Sequence, residues 1–256
     1  MIDKKITING INYNISAKVY LPDDSEINEM IIACHGFAGD KESSAILLVA
    51  EEMTKHKVGV ICFDFPGHGE SEVDANELTI ENCIKDIDEV ENYIKKEYSN
   101  IDISIFATSF GAYISLINIL KNNKNYKNII LRAPAINMAG IYKDNLLRED
   151  IEEYKQRGYT KLGFEREMNV PFSFLEELES NNIFELINNS EIPEIYIIQG
   201  DKDDIAPISD TKRFKELNSK KINLFIIPGA DHRMKGDGEL DKVVNYTKKI
   251  ILKEGE

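Results

Sequence analysis

The stretch Asp102-Ile103-Ser104-Ile105-Phe106-Ala107-Thr108-Ser109-Phe110-Gly111-Ala112-Tyr113 organises the chain. Ile103 to Phe106 is short, β-branched and aromatic, and is bounded by Ser99-Asn100, so it reads as a strand. Ala112 to Lys121 carries apolar residues at helical spacing. Ser109 therefore stands at a strand-to-helix turn, with Ala107 two residues before it and Gly111 two after. Small residues at those positions let strand and helix cross closely, and the serine hydroxyl then projects from the top of a sheet beside a helix N-terminus. A glycine is more usual at the first small position, and Ala107 is the next smallest choice. A pentapeptide of this kind also occurs in packed loops, so the rest of the chain has to decide.

The chain has 256 residues, 42% of them hydrophobic, and a formal net charge of −14. That suits one large α/β domain, or one with an insertion. The acidic balance lacks the basic footprint of a nucleic-acid binder, so no nucleic-acid partner is expected. The residues after Met1 contain no signal-like apolar core, and no run approaches membrane-spanning length. No membrane partner is expected. Cys34, Cys62 and Cys83 are odd in number and lack metal-ligand spacing. Two lie in apolar strand-like runs, which fits buried reduced thiols and a cytoplasmic location.

In chain order, Lys4 to Asn9 and Asn12 to Leu21 alternate around Gly10 as an antiparallel hairpin. Continuous apolar strands follow at 29–34, 57–63, 103–106, 128–133, 194–199 and 222–227, separated by helical periods at 43–56, 79–98, 112–121, 209–218 and 240–252. Alternation of this kind predicts a mostly parallel central sheet with helices on both faces. The pattern lapses from 137 to 190, where the residues are charged, helical in period and broken by Gly158, Gly163 and Pro171. This predicts an inserted helical cap over the carboxyl edge of the sheet, with 1–136 and 191–256 forming the core. The alternative is a helical excursion that only adds stability.

Two further clusters fall after the last two strands: Gly200-Asp201-Lys202-Asp203-Asp204-Ile205-Ala206-Pro207 and Pro228-Gly229-Ala230-Asp231-His232. Serine, acid and histidine thus occur in that chain order, each after a different parallel strand. A histidine can take the serine proton and return it to a leaving group, and a buried carboxylate orients the imidazole. The developing oxyanion needs fixed donors. The backbone N–H groups of Phe110, at the helix start, and of Phe37, in His35-Gly36-Phe37-Ala38-Gly39, are the natural pair.

With Asp64-Phe65-Pro66-Gly67-His68-Gly69-Glu70-Ser71 added, these motifs run through most of the chain in order. Together they resemble the α/β-hydrolase superfamily. Within it the chain resembles bacterial carboxylesterases of the feruloyl or cinnamoyl type, grouped with serine aminopeptidase-like hydrolases. The resemblance implies the α/β-hydrolase fold, an inserted cap that contacts substrate, and a Ser109, His232 and Asp203 triad. Asp203 is chosen over Asp201 and Asp204 because the family pattern puts the acid three residues after the Gly and four before the Pro.

The expected activity is cleavage of a small-molecule carboxylic ester through an acyl-enzyme, with no cofactor and no metal. A peptidase or thioesterase is the alternative, in which cap carboxylates such as Glu149, Asp150, Glu152 and Glu153 could hold a substrate amine. Such a charge run is more often a solvated helix face. A silent binding protein on the same fold is a further alternative, and the presence of all three triad residues speaks against it. A homodimer is compatible with these features. Structural roles are favoured for Asp64, His68 and His35, the last as a support of the oxyanion loop. Tyr113, Phe172 and Phe174 read as pocket or core aromatics, the latter being the commoner case.

Overall fold

A computed structural model describes residues 1–24, 26–147, 149–163, 166–187 and 192–254. The chain begins with a hairpin of β1 (Ile2–Asn9) and β2 (Asn14–Leu21), closed where the Gly10 N–H donates to the Tyr13 carbonyl. Then β3 (Glu29–Cys34), α1 (Ser44–Thr54), β4 (Val58–Phe63), α2 (Ile80–Glu97), β5 (Asp102–Thr108), α3 (Phe110–Asn122) and β6 (Ile129–Arg132) alternate. Next come α4 (Met138–Ile141), a π-helical turn (Tyr142–Leu146), α5 (Ile151–Arg157), β7 (Tyr159–Leu162), β8 (Met168–Pro171), α6 (Phe172–Ser180) and α7 (Ile183–Leu186). The alternation resumes with β9 (Ile195–Gly200), α8 (Ile208–Leu217), β10 (Ile222–Ile227) and α9 (Glu239–Leu252).

Eight strands form one sheet in the order β1-β2-β4-β3-β5-β6-β9-β10. From β4 to β10 every pairing is parallel, while β1 and β2 are antiparallel additions. Every residue of β3, β4 and β6 is buried, as a sheet covered on both faces requires. The buried side chains of α1 and α9 join one core layer. Those of α2, α3 and α8 join the layer on the opposite face. The free thiols of Cys34, Cys62 and Cys83 are all buried. No helix among the described residues is long and apolar enough to cross a membrane.

The strand order reverses between β3 and β5. The connection through α1 runs outward from β3 to β4, and the connection through α2 returns across β3 to β5. Loops leaving the carboxyl ends of two such strands diverge and open a crevice between them. The loops carrying Phe37 and Ser109 are that pair.

The segment between β6 and β9 departs from expectation in one respect. It is not only helical: β7 and β8 form a two-stranded antiparallel sheet, pairing Tyr159 with Pro171 and Leu162 with Met168. Along these strands burial alternates, with Thr160, Leu162, Met168 and Val170 inside. Four residues are too few for period two to stand out from a helical pattern. Tertiary contact decides, as the Tyr154 hydroxyl lies within hydrogen-bonding reach of the Val170 and Pro171 carbonyls. The expected boundary at 190 and 191 falls outside the described residues.

Two local constraints seat the site. At the start of α3, a Cβ on Gly111 would lie 2.5 Å from the His35 carbonyl oxygen and 2.7 Å from that of Cys34. The helix passes so close to the end of β3 that only glycine fits. Separately, Arg166 reaches from the β7–β8 connection into the turn after β4. Its guanidinium donates to the carbonyls of His68, Gly69, Ser71 and Val73.

Gly111→Ala is expected to cost about 1–3 kcal/mol through overpacking against fixed backbone, read as a lowered melting temperature. An unchanged melting temperature would show that the crossing can relax. Arg166→Ala removes charged hydrogen bonds worth on the order of 1–3 kcal/mol. Limited proteolysis should then cut within 137–190 sooner, with the core circular dichroism unchanged. Wild-type cleavage would mean that this guanidinium does not hold the segment down.

Candidate active site

Because β3, β5, β6, β9 and β10 run parallel, their carboxyl ends share one edge of the sheet. Ser109 follows β5 at φ 51° and ψ −110°, a left-handed backbone that L-residues rarely adopt. The turn is held on both sides. The Ser109 N–H donates to the Arg132 carbonyl at 3.0 Å, and its carbonyl accepts the N–H groups of Tyr113 and Ala135 at 3.1 and 3.2 Å.

His232 lies in the loop after β10, with Nε2 3.1 Å from the Ser109 hydroxyl oxygen. Its Nδ1 is 3.0 Å from each carboxylate oxygen of Asp203. An acceptor at Nδ1 places the ring proton there and turns the Nε2 lone pair toward the serine. The Asp203 side chain is fully shielded from solvent, while that of His232 retains 14% exposure. Asp203 also accepts the N–H groups of Ile205 and Ala206, at 3.1 and 2.8 Å, and the Gln199 amide at 3.1 Å. Hydrogen bonds of this number fix the orientation of the carboxylate under the imidazole.

The neighbouring acids lie elsewhere. Asp201 is exposed and accepts the Gly229 N–H at 2.6 Å, tying the two loops together, and Asp204 faces solvent. Asp231 accepts the Met234 N–H at 2.6 Å within the histidine loop.

On the β3 side, the His35 ring is locked from both ends. Its Nδ1–H donates to the Gly36 carbonyl at 2.8 Å, and its Nε2 accepts the Phe65 N–H at 3.1 Å. Burial lowers its basicity, so it is a neutral strut under the loop that carries Phe37. His68 is pushed down to about 3, first by burial and then by His35, and its Nδ1–H donates to the Pro66 carbonyl. Asp64 accepts the backbone N–H groups of Lys41 and Glu70 and pairs with the buried Lys41 ammonium. Its carboxylate is thereby fully engaged in shaping these loops.

Phe110 opens α3, so its N–H is one of the helix-start donors without an intrahelical acceptor. Phe37 follows β3, and its ring meets that of Phe110 edge-on. The Phe37 ring contacts His68, Phe110, Tyr142 and Phe174 at centroid distances of 5.4 to 6.3 Å. Phe174 is therefore an aromatic neighbour of the crevice. Tyr113 instead donates its hydroxyl to the Asn181 carbonyl, and Phe172 packs against Tyr154. The π-helical turn also reaches the acid loop, where the Asn145 amide donates to the Ile205 carbonyl at 3.0 Å.

Sequence reasoning passed over Gln199, Lys41, Arg166 and Arg132. Arg132 is 5% exposed at the end of β6, and burial pushes its guanidinium down to about 10. A charged residue closing an otherwise apolar parallel strand was the available signal.

The chain resembles proteins of known family and structure. The family model described as "Serine aminopeptidase, S33" matches residues 25–170. A monoglyceride lipase homolog of monkeypox virus is 22% identical over 233 residues, covering 81% of each chain. Est1E from Butyrivibrio proteoclasticus, solved with ferulic acid bound, superposes with a TM-score of 0.81 at 21% identity, covering 97% of this chain and 98% of that one. The mouse alpha/beta hydrolase domain-containing protein 10 superposes with a TM-score of 0.73 at 20% identity, covering 98% of this chain and 100% of that one. The sheet order, the helix layers and these matches agree, and the chain belongs to the serine aminopeptidase, S33 family of α/β hydrolases.

Proposed function

We propose that the protein is a serine hydrolase that cleaves small carboxylic esters through an acyl-enzyme. The observation that carries this reading is the unbroken chain of contacts from the Ser109 hydroxyl through His232 to Asp203. In this scheme His232 Nε2 takes the Ser109 proton as Oγ attacks the ester carbonyl carbon. The oxyanion that forms is met by the N–H groups of Phe110 and Phe37. Collapse breaks the ester C–O bond, and the imidazolium returns the proton to the departing alkoxide. Water then repeats the sequence on the acyl-serine, releasing the acid and restoring Ser109. Asp203 stays ionised throughout and stabilises the imidazolium.

The comparisons favour an ester over other acyl compounds. One relative is named for lipase chemistry, and one structural neighbour holds ferulic acid. The partly exposed Phe37 ring, backed by the buried rings of Phe110 and Phe174, suits a small or aromatic acyl group. An aminopeptidase role for the cap carboxylates is less well supported. Glu149 is paired with Arg157, and Asp150 caps the first turn of α5.

Ser109→Ala should abolish turnover of p-nitrophenyl acetate and of hydroxycinnamoyl esters and leave the melting curve intact. Asp203→Asn should lower kcat by about three to four orders of magnitude through the wrong imidazole tautomer, while Asp201→Asn stays near wild type. Esterase activity in Ser109→Ala, or the large loss appearing at Asp201 instead, would remove this assignment. A substrate panel that includes aminoacyl amides and thioesters separates the alternatives. Preferential turnover of an aminoacyl amide would establish a peptidase.

A further inference from the structure

Arg132 is a cation at a place where the sheet otherwise buries apolar side chains. It ends β6, the strand between β5, which delivers Ser109, and β9, which delivers Asp203. Ile129, Ile130 and Leu131 before it are fully buried. Its side chain is directed at the histidine loop, and one terminal nitrogen donates to the carbonyls of His232 at 3.2 Å and Arg233 at 2.7 Å. Its Nε has no partner among the described residues. The carboxylates that act on it are Asp203 and Asp231, and neither makes a direct ion pair with it. A buried cation held only by carbonyls is costly, and a leucine or methionine would fill the space more cheaply.

We infer that Arg132 is a positioning residue of this site. Its carbonyl holds the nucleophile turn, and its guanidinium holds the base loop. The inference rests on reading Ser109, His232 and Asp203 as the reacting set. One residue thus links the Ser109 N–H, at 3.0 Å from its carbonyl, to the backbone of His232 itself. The His232 loop is otherwise fixed before the histidine, by the Gly229 N–H on Asp201 and by the Lys202 N–H on the Ala230 carbonyl. Within it the Met234 N–H bonds to Asp231, and Met234 sits at φ 53°. An imidazole displaced by about 1 Å costs roughly 10²-fold in rate, so the carbonyl grip has a direct kinetic consequence.

The test compares Arg132→Met and Arg132→Lys with wild type. The readouts are single-turnover labelling of Ser109 by a fluorophosphonate, and the pH profile of p-nitrophenyl acetate hydrolysis. Folded Arg132→Met should label about 10²-fold more slowly. Its kcat should fall in parallel while KM stays unchanged, because Arg132 does not face substrate. The acid limb of kcat/KM should move, since a cation that acts on the Asp203 carboxylate is withdrawn. Arg132→Lys keeps the charge but not the planar fork, so its acid limb stays in place while its labelling rate falls part of the way. A merely structural role would reduce the labelled fraction without changing the rate per labelled site or the acid limb. A folded Arg132→Met with wild-type rate and profile overturns the inference. If Arg132→Met does not fold, a wild-type labelling rate in Arg132→Lys overturns it. A wild-type chain that takes no label on Ser109 removes the hydrolytic reading instead, a separate result.

Discussion

The close passage of α3 beneath the end of β3 is the constraint on which the crevice depends. Gly111 lets the first turn of the helix lie against the Cys34 and His35 carbonyls. Ser109 then has no room for an ordinary backbone and takes a left-handed conformation. That strain is held by three backbone hydrogen bonds, to Arg132, Tyr113 and Ala135. The same crossing sets the helix-start N–H of Phe110 opposite the loop that bears Phe37. Strain at one residue and the geometry of the site therefore have one physical source.

Around this crossing, the loops are shaped by buried charge and locked imidazoles. Lys41 and Asp64 form a buried pair whose carboxylate also gathers two backbone N–H groups. Arg166 and Arg132 each place a guanidinium on backbone carbonyls, one in the turn after β4 and one at the histidine loop. Such groups make loops specific, because leaving any of these charges unpaired in the interior is more costly than losing an apolar contact. His35 and His68 are held neutral by burial, and each ring is tied to a backbone carbonyl.

The inserted segment is fastened to both sides of the crevice. Arg166 ties it to the turn after β4, and Asn145 ties it to the loop after β9. Glu177 of α6 accepts the Ile80 N–H at the start of α2, so the insertion also caps a core helix. Phe174 and Tyr142 bring its aromatic rings to Phe37. A segment tied at these points packs over the sheet edge without contributing a strand to the main sheet.

Much of the fold and of the candidate site was legible in the sequence, because it rests on local signals. Continuous apolar strands, helical periods and strand-end glycines are short-range features, and Ser109, Asp203 and His232 each follow a strand whose end is marked. The β10 range, Ile222–Ile227, matches the expected run, and α2 begins one residue after Thr79, whose side chain caps it. The tertiary structure decided what depends on distant partners. Thr160 and Val170 became strand residues only through their contacts across the insertion. Asp201 and Asp203 are chemically equivalent in the chain, and only the fold turns one toward His232 and the other toward Gly229. Arg132 reads locally as the end of a strand, and its grip on His232 spans a hundred residues of sequence. Local propensity determines which elements form, whereas a buried charge takes its role from whichever carbonyl or carboxylate the packed chain brings beside it.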